Sequence, residues 1–190
     1  FNIRGCTLHT AFNLTVRDKK MVDLSERTLA KVREKYKKLR LIIIDEISMV
    51  GSKIFSFVNK RLQQIFDNKE PFGGISMLVL GDFRQLAPVQ DSLVFSTDTS
   101  NPYAMFVGAP LWRLFELYEL TEIMRQSDDK EFAEALTTLG NDNLIGLSDR
   151  QVALFNSRIV SSRQDVPEDA IFLFHSNEEK DQFNKEKLDR

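Results

Sequence analysis

The chain has few of the features that mark a secreted, membrane-spanning or strongly basic protein. Among its 190 residues there is one cysteine, Cys6, so no disulfide can form within the chain, and a reducing compartment fits this composition. No apolar run approaches the length of a membrane span, and no secretory signal is visible. The formal net charge is −2, which excludes a uniformly basic nucleic-acid coat and leaves only local patches for any nucleic-acid contact.

A further absence concerns phosphate binding. The pattern G-x-x-x-x-G-K-[S/T], whose backbone amides cradle phosphates, occurs nowhere in the chain, and no Gly-Lys-Ser or Gly-Lys-Thr is present. The first residue is Phe1 rather than Met, and we expect the chain to be a piece of a longer protein. Its length suits one substantial domain and the edge of a second.

Apolar strands alternate with helical segments along the chain. The spacing of apolar residues predicts helices over residues 7–14, 25–39, 52–66, 130–139, 149–156 and from 177 onward. Strands are predicted at 41–45, 76–82, 117–120 and 170–174, and the apolar run at 41–44 is typical of a strand buried on both faces. Such alternation predicts a mostly parallel sheet with ligands bound beyond the carboxyl ends of its strands.

Acidic residues stand at two of those strand ends. Asp45 and Glu46 follow the first strand directly, and Asp82 follows the second. Phosphoryl transfer needs a magnesium ion near the phosphates and a residue that positions the attacking water. Asp45 suits the metal and Glu46 suits the water, although the same pair could simply begin a solvated turn.

Two polar residues farther along fit the same chemistry. Gln85, in the loop after the second strand, carries an amide that can both donate and accept a hydrogen bond, so it can respond to a phosphate. Arg125 lies just past the third predicted strand, and its planar guanidinium suits a phosphate. The alternatives are an ordinary loop glutamine and a surface ion pair with Glu122 or Asp129.

These stretches, in this order and spacing, resemble the PIF (petite integration frequency) family of DNA helicases in superfamily 1B. "LIIIDEISMV" looks like the family's Walker B motif, "GDFRQLAPV" like its glutamine-containing third motif, and "LTEIMRQ" like its fourth. "GCTLHTAF" is similar to motif Ia, and "EPFGGISMLVLGDF" to the family signature between the second and third motifs. "AIFLFHSNEEKDQFNKEKL" resembles the entry into a second motor domain.

The resemblance implies an α/β fold: a RecA-like P-loop NTPase motor domain, with a parallel sheet flanked by helices, truncated at its N-terminus so that the Walker A loop is missing. Residues 1–165 would form part of the first motor domain and residues 166–190 the start of the second. The parent protein would be an ATP-dependent helicase that moves five-prime to three-prime and serves DNA repair, recombination and telomere maintenance.

The resemblance also implies roles for individual residues. Asp45 would coordinate Mg²⁺ and Glu46 would activate water. Gln85 would contact the γ-phosphate of ATP and couple the nucleotide state to DNA. Arg125 would stabilise the charge that develops on the γ-phosphate.

Binding partners follow from the same resemblance. Thr7 and His9 would lie on the path of single-stranded DNA, and duplex DNA and ATP would be the other ligands, with no membrane contact. A monomer is expected although the sequence leaves the oligomeric state open. The nucleus or another intracellular compartment that contains DNA, such as the mitochondrion, would be the location.

Some alternatives stay open. A RecD-like or transposon-encoded helicase of the same superfamily would share these motifs, and a non-catalytic DNA-binding remnant or a purely structural domain would not hydrolyse ATP. Ala87 stands where the family usually has proline, which bears on loop stiffness, and Arg84 receives no role. The basic run at 31–40 is read as the solvated face of a helix. The aromatic residues Phe12, Phe55, Phe57 and Trp112 are read as core.

Overall fold

The computed structural model describes residues 5–15, 21–96, 111–124, 126, 128–140, 146–162, 166–167 and 169–188. The chain divides into two compact units, residues 1–122 and residues 123–190. The predicted domain boundary after residue 165 stays a prediction. Within the described ranges, no helix is both long and apolar enough to cross a membrane.

The first unit contains a parallel pair of strands with helices around it. Strand β1 (Leu41–Ile44) pairs with β2 (Ser76–Val79), with Ile43 opposite Leu78. The helices are α1 (Leu8–Phe12), α2 (Glu26–Tyr36) and α3 (Ser52–Phe66). The side-chain oxygen of Ser25 accepts a hydrogen bond from the Thr28 amide at the start of α2, as its sequence position predicts. The helical predictions for this unit are therefore confirmed.

The buried core lies on one face of this strand pair. Ile42, Ile44, Met77 and Val79 pack on the core, whereas Ile43 is 57% exposed and Leu78 is 45% exposed on the other face. The prediction that β1 is buried on both faces is thus wrong in this structure. Successive side chains of a strand point to opposite faces, and no described residue covers the outer face. The prediction that four aromatic residues belong to the core is confirmed, since Phe12, Phe55 and Phe57 are buried and Trp112 packs against the buried cluster.

A buried arginine joins α3 to the N-terminal segment. Arg61 is only 2% exposed, and its Nε and Nη2 atoms donate to the carbonyl oxygens of Phe12 at 3.0 Å and of Val22 at 2.9 Å. Burial lowers the pKa of Arg61, and the charge of Asp23 opposes that shift. The guanidinium thus gives the Phe12 carbonyl a partner in a buried hydrogen bond, where an unpaired carbonyl would cost free energy.

The described part of the second unit contains three helices: α4 (Lys130–Gly140), α5 (Asp149–Asn156) and α6 (Asn177–Leu188). Helix α5 begins with a capping box formed by Ser148 and Gln151. An exposed pair of Arg150 and Glu131 joins α5 to α4, with Nη2 2.9 Å from Oε2. These three helices lie where the sequence predicts them.

Two of the four predicted strands do not form. Residues 117–120 and 170–174 carry no strand pairing. Several of their apolar side chains are exposed, among them Leu120 at 91% and Leu173 at 94%, whereas Phe172 and Phe174 pack against Phe183. An apolar, β-prone composition favours a strand, but a strand exists only when a neighbour completes its hydrogen bonds. Neither segment has such a neighbour among the described residues.

Candidate active site

Backbone hydrogen bonds bring the two strand ends together. The ladder of β1 and β2 continues past their ends, because the Leu80 amide donates to the Ile44 carbonyl at 2.8 Å and the Ile47 amide donates to the Leu80 carbonyl at 2.9 Å. Asp45 and Glu46 lie in the sequence between Ile44 and Ile47, the two residues whose backbone groups bond to Leu80. The acidic pair is therefore placed directly beside the loop that begins at Gly81.

Gly81 makes this close approach possible. A Cβ atom at this position would lie 2.9 Å from the Ile47 amide nitrogen and 3.0 Å from the Ile47 Cγ2 atom. Contacts below about 3.0 Å to backbone require the backbone to move, so any side chain here would separate the two strand ends. The glycine of the "GDFRQ" stretch is thus explained by packing against the loop that carries the acids.

The two carboxylates face solvent at this edge. Asp45 and Glu46 are both exposed, and the Glu46 amide donates to Asp45 Oδ1 at 2.9 Å. Glu46 has φ 54° and ψ 49°, a left-handed conformation that is uncommon for residues other than glycine and often occurs at functional sites. It immediately precedes a short 3₁₀ turn, Ile47–Met49.

The oxygen donors of Asp45 suit Mg²⁺, which prefers carboxylate oxygens and keeps several water ligands. Over the ranges that the structure describes, no cluster of three or more His, Cys, Asp or Glu side chains could hold a metal ion. A magnesium ion here would therefore depend on phosphate and water oxygens for most of its ligands, as Mg²⁺ commonly does at nucleotide sites.

The loop that carries Gln85 contains an ion pair near its start. Arg84 Nε and Nη2 lie 3.0 Å and 3.1 Å from the two carboxylate oxygens of Asp82, and the backbone N–H of Gln85 donates to the Asp82 carbonyl at 3.0 Å. The hydrogen bonds from Arg84 hold the pKa of Asp82 below its ordinary value. Sequence reasoning gave Arg84 no role, and the structure assigns it this pairing. Gln85 itself is exposed.

An aromatic contact anchors the same loop to the core. The Phe83 ring lies 5.0 Å from Phe95 and 5.6 Å from Trp112, centroid to centroid, in edge-to-face geometry. Trp112 in turn stacks on Phe115 at 5.5 Å. Such pairs add to the stability of a contact beyond area burial.

The remaining predicted site residues lie elsewhere or outside the described residues. Thr7 caps α1, since its Oγ1 accepts from the Thr10 amide at 3.3 Å, and His9 is half-buried within α1. The described contacts tie α1 to α2 and α3, through Tyr36 and Arg61, rather than to the strand ends. Arg125 lies outside the described residues. The roles of Thr7, His9 and Arg125 stay predictions.

The strand pair with acids at its carboxyl edge defines a class: the fold is that of the RecA-like motor domains. Among solved structures, a Pif1 helicase from Bacteroides in complex with ADP-AlF3 and ssDNA superposes with a TM-score of 0.69 at 27% identity, covering 98% of this chain and 44% of that chain. Pif1 helicase from Candida albicans superposes with a TM-score of 0.64 at 28% identity, covering 86% of this chain and 35% of that chain.

Sequence comparison gives the family. The PIF1-like helicase family matches residues 1–148, so this chain belongs to that family. The ATP-dependent DNA helicase Pif1 of a Psychrobacter species is 35% identical over 146 residues, which is 74% of this chain and 21% of that protein. The ATP-dependent DNA helicase PIF1 of Candida albicans is 28% identical over 98% of this chain and 21% of that protein. The chain thus spans about a fifth of these relatives.

Proposed function

We propose that this chain forms most of the first motor domain of an ATP-dependent DNA helicase that moves five-prime to three-prime along single-stranded DNA. The observation that carries the proposal is the backbone ladder through Ile44, Leu80 and Ile47. It sets the acids of one motif beside the glutamine loop of the next. The Bacteroides relative, whose structure holds ADP-AlF3 and ssDNA, supports nucleotide and DNA as the ligands.

The two acids, Asp45 and Glu46, have different roles in this proposal. Asp45 offers carboxylate oxygens to Mg²⁺, which supplies positive charge to the phosphates when it is bound. Glu46, exposed at the same edge, orients or deprotonates the attacking water.

The other assignments complete a coupled motor. Gln85 senses the γ-phosphate from its loop, and Arg125 neutralises the charge that spreads over the equatorial oxygens in the transition state. Thr7 and His9 contact the single strand. Hydrolysis opens and closes the cleft between two motor domains and so moves the strand. DNA repair, recombination and telomere maintenance, in a compartment that contains DNA, are the processes that fit such an enzyme.

The test replaces the base in a complete motor. We would graft this chain in place of the matched segment of the Bacteroides Pif1 helicase and compare Glu46→Gln with the unsubstituted graft. ATP binding should persist while turnover falls by about 10²–10⁴-fold, the usual contribution of a general base. Glu70→Gln, at an exposed loop position of the same unit, is the matched control. A Glu46→Gln turnover within a few-fold of the unsubstituted graft would remove Glu46 from its role.

A second test measures the ATPase activity of the 190-residue chain without the rest of the motor. The 190-residue chain alone should show no DNA-stimulated ATPase, because no sequence in it can cradle the β- and γ-phosphates. Phosphate release above background from the purified chain, stimulated by single-stranded DNA, would contradict this. A graft that binds DNA but never hydrolyses ATP would favour the non-catalytic alternative.

A further inference from the structure

We propose that Asp91 is a positioning residue that fastens the far end of the Gln85 loop to the first turn of α3. Helix α3 follows the acidic pair after a few residues, so this contact would keep the glutamine and the acids in one rigid piece. The inference rests on the proposed function for its catalytic consequence, but its geometry stands on the structure alone.

The carboxylate of Asp91 accepts a hydrogen bond from the adjacent Ser92 amide at 2.8 Å and also contacts the start of α3. Its Oδ1 accepts from the Lys53 amide at 3.4 Å, its Oδ2 accepts from the Ile54 amide at 3.4 Å, and the Ser52 hydroxyl lies 3.5 Å from Oδ1. The first amides of a helix lack partners within the helix. A carboxylate there also meets the positive end of the helix dipole. Asp91 thus caps a helix from 37 to 39 residues away in sequence.

The absence of a side chain at Gly51 leaves room for the Asp91 carboxylate. Gly51 stands at the cap position of α3 and makes no side-chain cap. A Cβ atom on it would lie 2.1 Å from both Cγ and Oδ2 of Asp91, so the Asp91 carboxylate occupies the space where another residue would carry its own side chain. Backbone contacts reinforce the join, because Gly51 forms an antiparallel bridge with Leu93 and the Ser52 amide donates to the Ser92 carbonyl at 2.8 Å.

The consequence for Gln85 follows from where the loop is attached. At one end Gly81 lies against Ile47, and at the other end Asp91 lies against Gly51 and the amides of α3. Both attachment points are on the short segment that follows Asp45 and Glu46. A displacement of that segment therefore carries both ends of the loop with it.

The middle of the loop contributes little packing of its own. Leu86 is 71% exposed and Val89 is 84% exposed, and Ala87 stands where the resembling family usually has a stiff proline. The loop's shape therefore depends on its attachments, among them the Phe83 ring against Phe95 and Trp112, and on the ion pair of Asp82 and Arg84 within the loop. A local cap at α3 would have stabilised the helix equally well, as Ser25 does for α2, without joining the two motifs.

The first arm of the test measures the contact in the 190-residue chain by thermal unfolding. Asp91→Ala should lower Tm by about 3 °C, which is the size expected for one lost cap in a chain of this length. Gly51→Ala should also lower Tm, because its new methyl group displaces the carboxylate. The double variant combines Gly51→Ala with Asp91→Gly, because the Asp91 Cβ atom, which alanine would keep, itself lies 2.3 Å from the position of the new methyl group. In that variant the Gly51→Ala effect should shrink to less than half, whereas Gly146→Ala, which has open space around it, should add independently.

The second arm measures the loop. Amide hydrogen exchange at Arg84 and Gln85, whose backbone amides donate to Asp82 within the loop, should become about tenfold faster in Asp91→Ala, as expected when a local attachment is lost. Asp91→Asn keeps one acceptor oxygen and should be intermediate. The matched control is Ser25→Ala, which removes a cap of the same kind from α2 and should lower Tm while leaving exchange in the loop unchanged. An unchanged rate of amide hydrogen exchange in the loop of Asp91→Ala would overturn the proposal that Asp91 fastens the loop to α3.

The third arm tests the catalytic consequence in the Bacteroides graft. The ratio of ATPase rates with and without single-stranded DNA should fall about tenfold in Asp91→Ala, within the usual range of coupling between sites, and should not fall in Ser25→Ala. Faster loop exchange with an unchanged ratio would overturn the positioning role. An unsubstituted graft without ATPase would instead count against the proposed function, and the first two arms would still decide the fastening.

Discussion

The two compact units differ in how much of their apolar surface they bury. In the first unit the buried cluster draws on α1, β1, α3 and the loops around β2, with Phe55, Val58, Leu62 and Ile65 at 2% exposure or less. In the second unit, the buried apolar residues within the described ranges are Ala133 and Ala135. Two alanines remove far less apolar area from water than four large side chains do.

This difference indicates which part of the chain holds its own geometry. The first unit places the acidic pair and the glutamine loop on a packed frame. The second unit exposes Ile171 at 90% and Leu173 at 94%, in the segment that sequence reasoning assigns to the start of a second motor domain. The neighbouring Phe172 and Phe174 are half-buried and pack against Phe183, with ring centroids 4.6 Å and 5.1 Å away. The described part of the second unit thus combines a small aromatic cluster with exposed apolar residues, whereas the first unit buries large side chains almost completely.

The largest expected effect tests the packed frame directly. Phe55 is 2% exposed and its ring lies 5.2 Å from Phe72 and 5.8 Å from Phe115. Phe55→Ala should lower the free energy of unfolding by about 3–5 kcal/mol, the range for removing a buried aromatic ring. Leu173→Ala should change it by no more than about 0.5 kcal/mol, since the side chain is exposed. Urea unfolding followed by circular dichroism measures both, and equal losses would abolish the contrast.

The next effect concerns two arginines, one in each unit. Arg61→Met should lower the free energy of unfolding by about 3 kcal/mol, because the change leaves the carbonyl of Phe12, in a buried hydrogen bond, and the carbonyl of Val22, in a partly buried one, without a donor. Arg150→Met is the control: its pair with Glu131 is exposed, and exposed pairs contribute little to stability. Arg61→Lys should recover only part of the loss, since an ammonium cannot reproduce the guanidinium geometry. An Arg61→Met variant as stable as the unsubstituted chain would show that the buried guanidinium is dispensable.

Sequence reasoning succeeded where the signal is local. Helix α3 occupies the predicted residues, Ser52 to Phe66, because helical periodicity is carried by the residues of the helix itself. The acids at the end of β1 were placed correctly for the same reason. The parallel pairing of β1 and β2 followed from the alternation of strands and helices.

Long-range partners could not be predicted in this way. Arg61 bonds a carbonyl 49 residues away, and Asp91 caps a helix more than 35 residues earlier in the chain. No local pattern distinguishes them from ordinary surface residues. The predictions of strands at 117–120 and 170–174 were wrong for a related reason, because a strand depends on a neighbour that its own sequence does not contain.

A smaller effect of opposite sign is expected within the packed frame. Ser48 is 2% exposed, and its hydroxyl has no hydrogen-bond partner among the described residues. A buried hydroxyl without a partner destabilises the folded state, so Ser48→Ala should raise the free energy of unfolding by about 1 kcal/mol. Ser25→Ala, which loses a formed cap, should lower it instead. Chemical denaturation of both variants checks the signs, and a destabilised Ser48→Ala would indicate that the hydroxyl has a partner in solution.

The smallest expected effect lies in the ion pair of the glutamine loop and depends on pH. Arg84 lowers the pKa of Asp82 in the folded protein below its ordinary value of 3.8, so the pair stabilises the fold above that value and loses its contribution as the pH falls through the lowered, folded-state pKa. At neutral pH, Asp82→Asn should lower the free energy of unfolding by no more than about 1 kcal/mol, because the pair is solvent-screened. In acid the difference between the variant and the unsubstituted chain should disappear. Arg84→Gln should give the same profile, because it removes the other partner of the same pair, whereas Glu131→Gln removes an exposed pair in the second unit and should leave the loop of the first unit unaffected. A difference between Asp82→Asn and the unsubstituted chain that persists after the pH has fallen below the lowered, folded-state pKa would mean that Asp82 stabilises the loop through its shape rather than through its charge.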